Sequence, residues 1–110
     1  MSEPINSTIS PWMPEQDRIR LAVLGKLAEE CNELAGRAAR SIIQGLDERD
    51  PSTGRTNREE IAREIADVMA CIRIVESRLD LIADIDRIGS KFTGFRRWHR
   101  MIEDPAKEGE

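Results

Sequence analysis

"TNREEIAREIADVMACIRIVESRL", Thr56 to Leu79, is the stretch on which the fold turns. Ile61, Ile65, Val68, Ile72, Val75 and Leu79 recur in steps of four and three, so they share one face of an α-helix and cannot alternate across a strand. Thr56 with Glu59 three residues later forms a capping box, which predicts a helix start at about residue 57.

The neighbouring segments are punctuated to match. Upstream, "GLDERDPSTGRTN", Gly45 to Asn57, gathers Gly, Pro, Asp, Ser and Thr and reads as the one interior loop. Before it, Ile19, Val23, Leu24, Leu27, Cys31, Leu34, Ala38 and Ile42 keep helical spacing from about 14 to 45. Pro14 suits a first turn there, and Gly25 or Gly36 could divide the segment into two consecutive helices. Downstream, Asp80 in "RLDL" is placed to cap a last helix, about 80 to 103, that carries Ile82, Ile85, Ile88, Phe92 and Phe95. Residues 1–13 mix Pro, Asn, Ser and Thr without period and read as an irregular arm, and residues 104–110 as a flexible tail. The chain is predicted to be all-α, with one helical domain over residues 14–103.

Composition agrees. A chain of 110 residues makes one domain, and 35% charged with only 4% aromatic residues suits long charged helices better than packed sheets. The net charge of -4 argues against general attraction to nucleic acid or to an anionic membrane. No apolar run approaches the ~20 residues of a membrane span, and the start lacks the basic and apolar regions of a signal peptide, so a cytoplasmic location is expected. Cys31 and Cys71 both fall within helical segments, as small core residues with no nucleophile–base partners, and not in a disulfide framework.

The helices carry an unusual set of acids. Lys26, Glu30, Glu33 and Arg37 form a stripe bordering the apolar positions Leu27, Cys31, Leu34 and Ala38. Glu60, Glu64 and Asp67 likewise flank Ile61, Ile65 and Val68. Packing the two seams together would bring the carboxylates face to face, where they repel unless a divalent cation lies between them. Hard oxygen donors of this kind suit Mg²⁺. Acids at such spacing also occur on ordinary solvated helix faces, so a non-catalytic helical interaction module is the competing reading.

Glu29-Glu30-x-x-Glu33 followed by Glu64-x-x-Asp67 resembles the E-E-x-x-E and E-x-x-D signature of the MazG-like all-α nucleoside triphosphate pyrophosphohydrolases, over roughly residues 20 to 95. The resemblance implies Mg²⁺, for which Mn²⁺ can substitute, held by Glu30, Glu33, Glu64 and Asp67, with Glu29 as an auxiliary carboxylate near the attacking water. It implies hydrolysis of a nucleoside triphosphate between the α and β phosphates, giving a nucleoside monophosphate and pyrophosphate, in housecleaning or pool control. It also implies a four-helix-type bundle completed by association into a homodimer or homotetramer, three helices being few to close a core around an acidic site. Some small members act on purine deoxynucleotides, which leans the substrate toward dGTP or dATP. Two features depart from the family pattern. Residues 34 to 63 separate the motifs by more than is usual, the excess lying in the Gly45–Asn57 loop, and Thr93 and Gly94 follow Lys91-Phe92 where many members carry asparagine.

Phosphate not reached by metal needs cations. Lys26, Arg37, Lys91, Arg96 and Arg97 are the candidates, Lys91 first because the family lysine at that place commonly reaches phosphate. Trp12 and Trp98 are candidates to stack on a base. The proton of the attacking water falls to Glu29 or Glu33, between which the sequence does not choose. A di-iron carboxylate bundle is excluded, since it needs E-x-x-H pairs and His99, the one histidine, has Arg96 three residues before it. "RIGSKFTGFRRWHR" interleaves cations and aromatics, but no recognised nucleic-acid motif accompanies it in this acidic chain.

Overall fold

The computed structural model describes residues 12–104, and those residues form three α-helices and no strand. Helix α1 spans Arg18–Gln44, α2 Asn57–Arg78 and α3 Ile85–Glu103. The arm over residues 1–11 and the tail over 105–110 lie outside the described residues. No described helix is long and apolar enough to cross a membrane.

Helix α1 starts later than Pro14 suggested. Asp17 is its N-cap, with the carboxylate accepting the N–H groups of Ile19 and Arg20, while Glu15 accepts those of Gln16 and Asp17 and holds the chain outside the helix. Neither Gly25 nor Gly36 breaks it, and α1 runs as one helix of 27 residues. It stops at Gly45, whose φ of 102° carries the chain out of the helix at a conformation that suits glycine. The capping box of α2 forms as read: Thr56 accepts from the Glu59 N–H and Glu59 accepts from the Thr56 N–H. Asp80, expected to begin the last helix, instead takes a left-handed conformation at φ 52° just past the end of α2. Asp84 caps α3 in its place, accepting the Arg87 N–H.

Helices α1 and α2 pack on one another within a first compact unit that ends at Asp80; α3 belongs to a second, beginning at Leu81. In the first unit the partly or fully buried positions of α1 are 23, 27, 30, 34, 37 and 41, and in α2 they include 57, 61, 64, 68, 71 and 75. These are the alternating four- and three-residue steps of a coiled-coil seam. Glu30, Arg37 and Glu64 therefore occupy the seam itself, whereas the sequence had placed the charges beside it. Cys31 and Ala38, read as core, are exposed, and Cys71 is half-buried. A second row, Leu24, Ala28, Cys31, Ala35, Ala38 and Ile42, repeats the same steps along an exposed face of α1, and Ile65, Met69 and Ile72 do so on α2.

The end of the seam nearest the loop is polar. Arg37 donates to Asp50 at 3.0 Å, to the Asn57 side-chain oxygen at 3.2 Å and to Glu60 at 3.1 Å, all in a region where Asp50, Asn57 and Glu60 are buried. Arg40 adds a bond to Asp50, and Arg55 pairs with Glu60. Asn57 is fully enclosed and donates to Gln44 and to the Gly45 carbonyl, tying the end of α1 to the start of α2. Ser52 donates from both its hydroxyl and its N–H to Asp50; these bonds, followed by Arg37, hold the Asp50 carboxyl well below the usual carboxylate range. The Gly45–Asn57 stretch is thus anchored to the two helices through buried Asp50 and Asn57, while most of its other residues are exposed.

Candidate metal centre

One turn from this end of the seam along each helix, the ion pairs of Arg37 give way to a cluster of acids. Glu33 precedes Arg37 by four residues on α1, and Glu64 follows Glu60 by four on α2. The seam brings Glu30, Glu33 and Glu64 together so that one carboxylate oxygen from each lies within 4.8 Å of the others. Glu30 Oε2 and Glu64 Oε2 are both buried, and neither has a hydrogen-bond partner. Buried polar atoms are normally paired, so two carboxylate oxygens without a hydrogen-bond partner make Glu30 and Glu64 candidates to hold a cation with Glu33.

Electrostatics point the same way. Loss of water pushes the Glu30 carboxyl up from its ordinary value, and the negative charges of Glu33, Asp67 and Glu29 add to the rise against the opposing pull of Lys26. Asp67, expected as the fourth ligand, is near enough to act on Glu30 but lies outside the three that converge. Hard carboxylate oxygens with unused lone pairs fit Mg²⁺ or Mn²⁺, and the donor set holds no soft ligand that would favour zinc or copper.

A pH effect follows from the direction of that shift. A carboxyl raised in the folded state holds its proton more tightly there than in the unfolded chain, so stability falls as pH rises from the unfolded value through the folded one. In the presence of EDTA, thermal melts should show the wild-type protein losing stability relative to Glu30→Gln as the pH rises above the ordinary glutamate value of 4.5. Millimolar Mg²⁺ should cancel that loss. Parallel pH profiles for the two proteins would mean that Glu30 is not under this strain.

The remaining candidates are distributed unevenly. Glu29 lies outside the cluster and forms an exposed pair with Lys26 at 3.3 Å. Arg37, expected to grip phosphate, is committed to Asp50, Asn57 and Glu60, with only 11% of its side chain exposed, because its position falls in the seam. Lys26 stays with the acids, lining a cavity beside Glu30 and Asp67. Lys91, Arg96 and Trp98 belong to the second unit; there Lys91 lies over the Phe95 ring, Arg96 over Phe92, and Trp98 meets His99 edge to face. Trp12 is 89% exposed and Trp98 56%, so both rings are open to solvent.

Reading the sequence missed the roles of Asp50 and Asn57 and treated Glu60 as one more acid of the α2 stripe. The available signal was the period: Arg37 and Glu60 fall on the two seams at the ends nearest the connecting loop, where opposite charges could meet. No protein-family model, curated protein or solved structure matches this chain.

Proposed function

We propose that the chain is a Mg²⁺-dependent nucleoside triphosphate pyrophosphohydrolase that cuts between the α and β phosphates. The observation that carries this reading is the convergence of Glu30, Glu33 and Glu64 around two buried, unpartnered oxygens. The E-E-x-x-E and E-x-x-D resemblance supplies the reaction class. Glu30, Glu33 and Glu64, with Asp67 one turn beyond Glu64, would hold the metal. Bound Mg²⁺ supplies neutralisation of the polyphosphate and a lowered pKa for an attacking water.

The residues divide the remaining work. Water adds to the α-phosphorus, and the bridging P–O bond to the β-phosphate breaks, its electron pair leaving with pyrophosphate. The Glu33 carboxylate oxygen not given to metal would accept the water's proton: Glu33 is the exposed member of the three, whereas Glu29 is paired with Lys26. Lys26 offers a positive charge to the phosphate chain from beside the acids. A purine deoxynucleotide, dGTP or dATP, remains the favoured substrate by resemblance.

Association belongs to the same proposal. The exposed row from Leu24 to Ile42 on α1 and the row Ile65, Met69, Ile72 on α2 are faces that a four-helix arrangement would cover, in a homodimer or homotetramer. Light scattering should report at least twice the 12.5 kDa chain mass, and Ala38→Glu should shift the population toward the monomer. A fully helical species of single-chain mass at every concentration would count against the bundle.

The reaction is tested by product analysis. Each canonical dNTP, incubated with protein and Mg²⁺ and followed by phosphorus NMR, should yield monophosphate and pyrophosphate from at least one. Orthophosphate with a diphosphate would overturn the bond assignment. Inactivity throughout, with no Mg²⁺ effect on the melting temperature, would favour the non-catalytic interaction module.

A further inference from the structure

The acidic cluster has two unlike ends along the groove between α1 and α2. Toward the loop, the gap is filled by Arg37 and its bonds to Asp50, Asn57 and Glu60. Toward the start of α1 and the end of α2, it opens into a cavity of about 300 Å³. Glu30 and Asp67 form the acidic side of this cavity, Lys26 lines it too, and Val23, Ala70, Cys71 and Ile74 supply apolar wall. From this geometry we infer that the cavity receives the nucleoside end of the substrate, the sugar with its base, while the phosphates lie at Glu30, Glu33 and Glu64. The inference rests on the pyrophosphohydrolase reading and adds to it the place where the nucleoside is recognised.

Three properties of the cavity support this occupant. It adjoins the cluster through Glu30, so a ligand whose phosphates would be held at the acids by Mg²⁺ can pass straight into it, whereas the ion pairs close the opposite direction. Its volume stands at the small end of the ~300–1,000 Å³ range of small-molecule sites, and mostly apolar walls with a few polar groups are their usual lining. The polar groups also have suitable chemistry. A carboxylate oxygen of Asp67, which lies outside the converging three, can accept a hydrogen bond from a sugar hydroxyl or an exocyclic amine, and the Lys26 ammonium donates to a ring nitrogen, a carbonyl or the first phosphate. Ala70 and Cys71 are small and add little bulk to this wall. A longer side chain at 70 would narrow the cavity.

Cys71 provides a reporter inside the cavity. The chain holds two cysteines, both free thiols, so Cys31→Ser leaves Cys71 as the one alkylation site. Its rate of reaction with iodoacetamide is to be measured with Mg²⁺ alone, with each of dATP, dGTP, dCTP and dTTP, and with inorganic tripolyphosphate, which has the charges but no nucleoside. At saturation at least one dNTP should slow the alkylation about tenfold or more, in proportion to the fraction of open sites, and tripolyphosphate should not. Ala70→Leu should weaken that dNTP by about tenfold, the cost of overpacking one site, while Mg²⁺ stabilisation and tripolyphosphate binding stay as in the parent protein. Equal protection by dNTP and tripolyphosphate would overturn the inference, since the phosphates alone would account for it. So would a Cys71 that fails to react in the folded, nucleotide-free protein, because the cavity would then be covered by protein. If Mg²⁺ still raises the melting temperature and tripolyphosphate still binds, but no dNTP protects Cys71, the metal centre stands and the nucleoside site falls. If Mg²⁺ has no effect at all, the enzymatic reading fails and the nucleoside site with it.

Discussion

Glu64→Gln should lower pyrophosphate release from the preferred dNTP by about two orders of magnitude or more, since even residues that only support metal ligands typically cost 10- to 100-fold. The change is nearly isosteric, and Glu and Gln have similar helix propensities, so α2 should be preserved. What disappears is one negative charge from a group of three whose oxygens lie within 4.8 Å, together with a buried oxygen that has no other partner. Two consequences should separate this change from general damage. Without metal, the variant should be as stable as the parent or more so, because a like-charge repulsion has been removed. With Mg²⁺, the rise in melting temperature should shrink; for the parent, ligand at 100 times its dissociation constant adds about 2.7 kcal/mol. Thermal melts with EDTA and with Mg²⁺, run beside the pyrophosphate assay, check both. A variant that keeps its activity and its Mg²⁺ stabilisation would remove Glu64 from the site.

The largest effect on stability is expected at Arg37. Its side chain, 11% exposed, pairs with that of Glu60, 7% exposed, and Asn57 at the same place is fully buried. Arg37→Ala leaves Glu60 with Arg55 as its remaining cation, deprives Asp50 of its 3.0 Å bond and strips the Asn57 oxygen of its donor. Breaking a buried pair by removing one partner costs about 3–5 kcal/mol. Domains of this kind have about 5–15 kcal/mol in total, so the variant should sit near the edge of folding at ambient temperature. Urea denaturation followed by circular dichroism measures the loss. Adding Glu60→Gln to Arg37→Ala should recover part of it by removing a buried charge that has lost one of its two cations, a recovery that simple cavity formation would not show. A cost below about 1 kcal/mol, the level of an exposed pair, would mean that the network is not maintained in solution.

Element types and most boundaries were readable in the chain because they depend on local causes. Steps of four and three located α2 and its capping box, and the cluster of Gly, Pro and Asp located the loop. Local signals failed where two similar ones competed. Asp80 was read as the cap of the last helix, but the chain there turns left-handed to leave α2, and Asp84, which the sequence reading had not singled out, caps α3. Pro14 and Asp17 competed likewise, and Asp17 won because its carboxylate is placed to accept two helix N–H groups.

That Glu30 and Glu33 share one side of α1, and Glu60, Glu64 and Asp67 one side of α2, follows from spacing, since residues three and four apart on a helix share a side whatever it packs against, whereas the choice of Glu30, Glu33, Glu64 and Asp67 as ligands came from the family resemblance. Which rows of α1 and α2 face each other is a matter of tertiary structure: two apolar rows repeat along α1, and periodicity does not tell them apart. Packing selected the row through Val23, Leu27, Leu34 and Ser41, which drew Glu30 and Arg37 into the seam and left Cys31 and Ala38 outside. That one choice decided the different fates of charges spaced alike. Arg37 met Asp50 and Glu60 and became a buried structural pair, while Glu30 met Glu64 and left carboxylate oxygens unpaired. A sequence specifies the charges and their order along each helix, but only the facing helix determines whether each is neutralised.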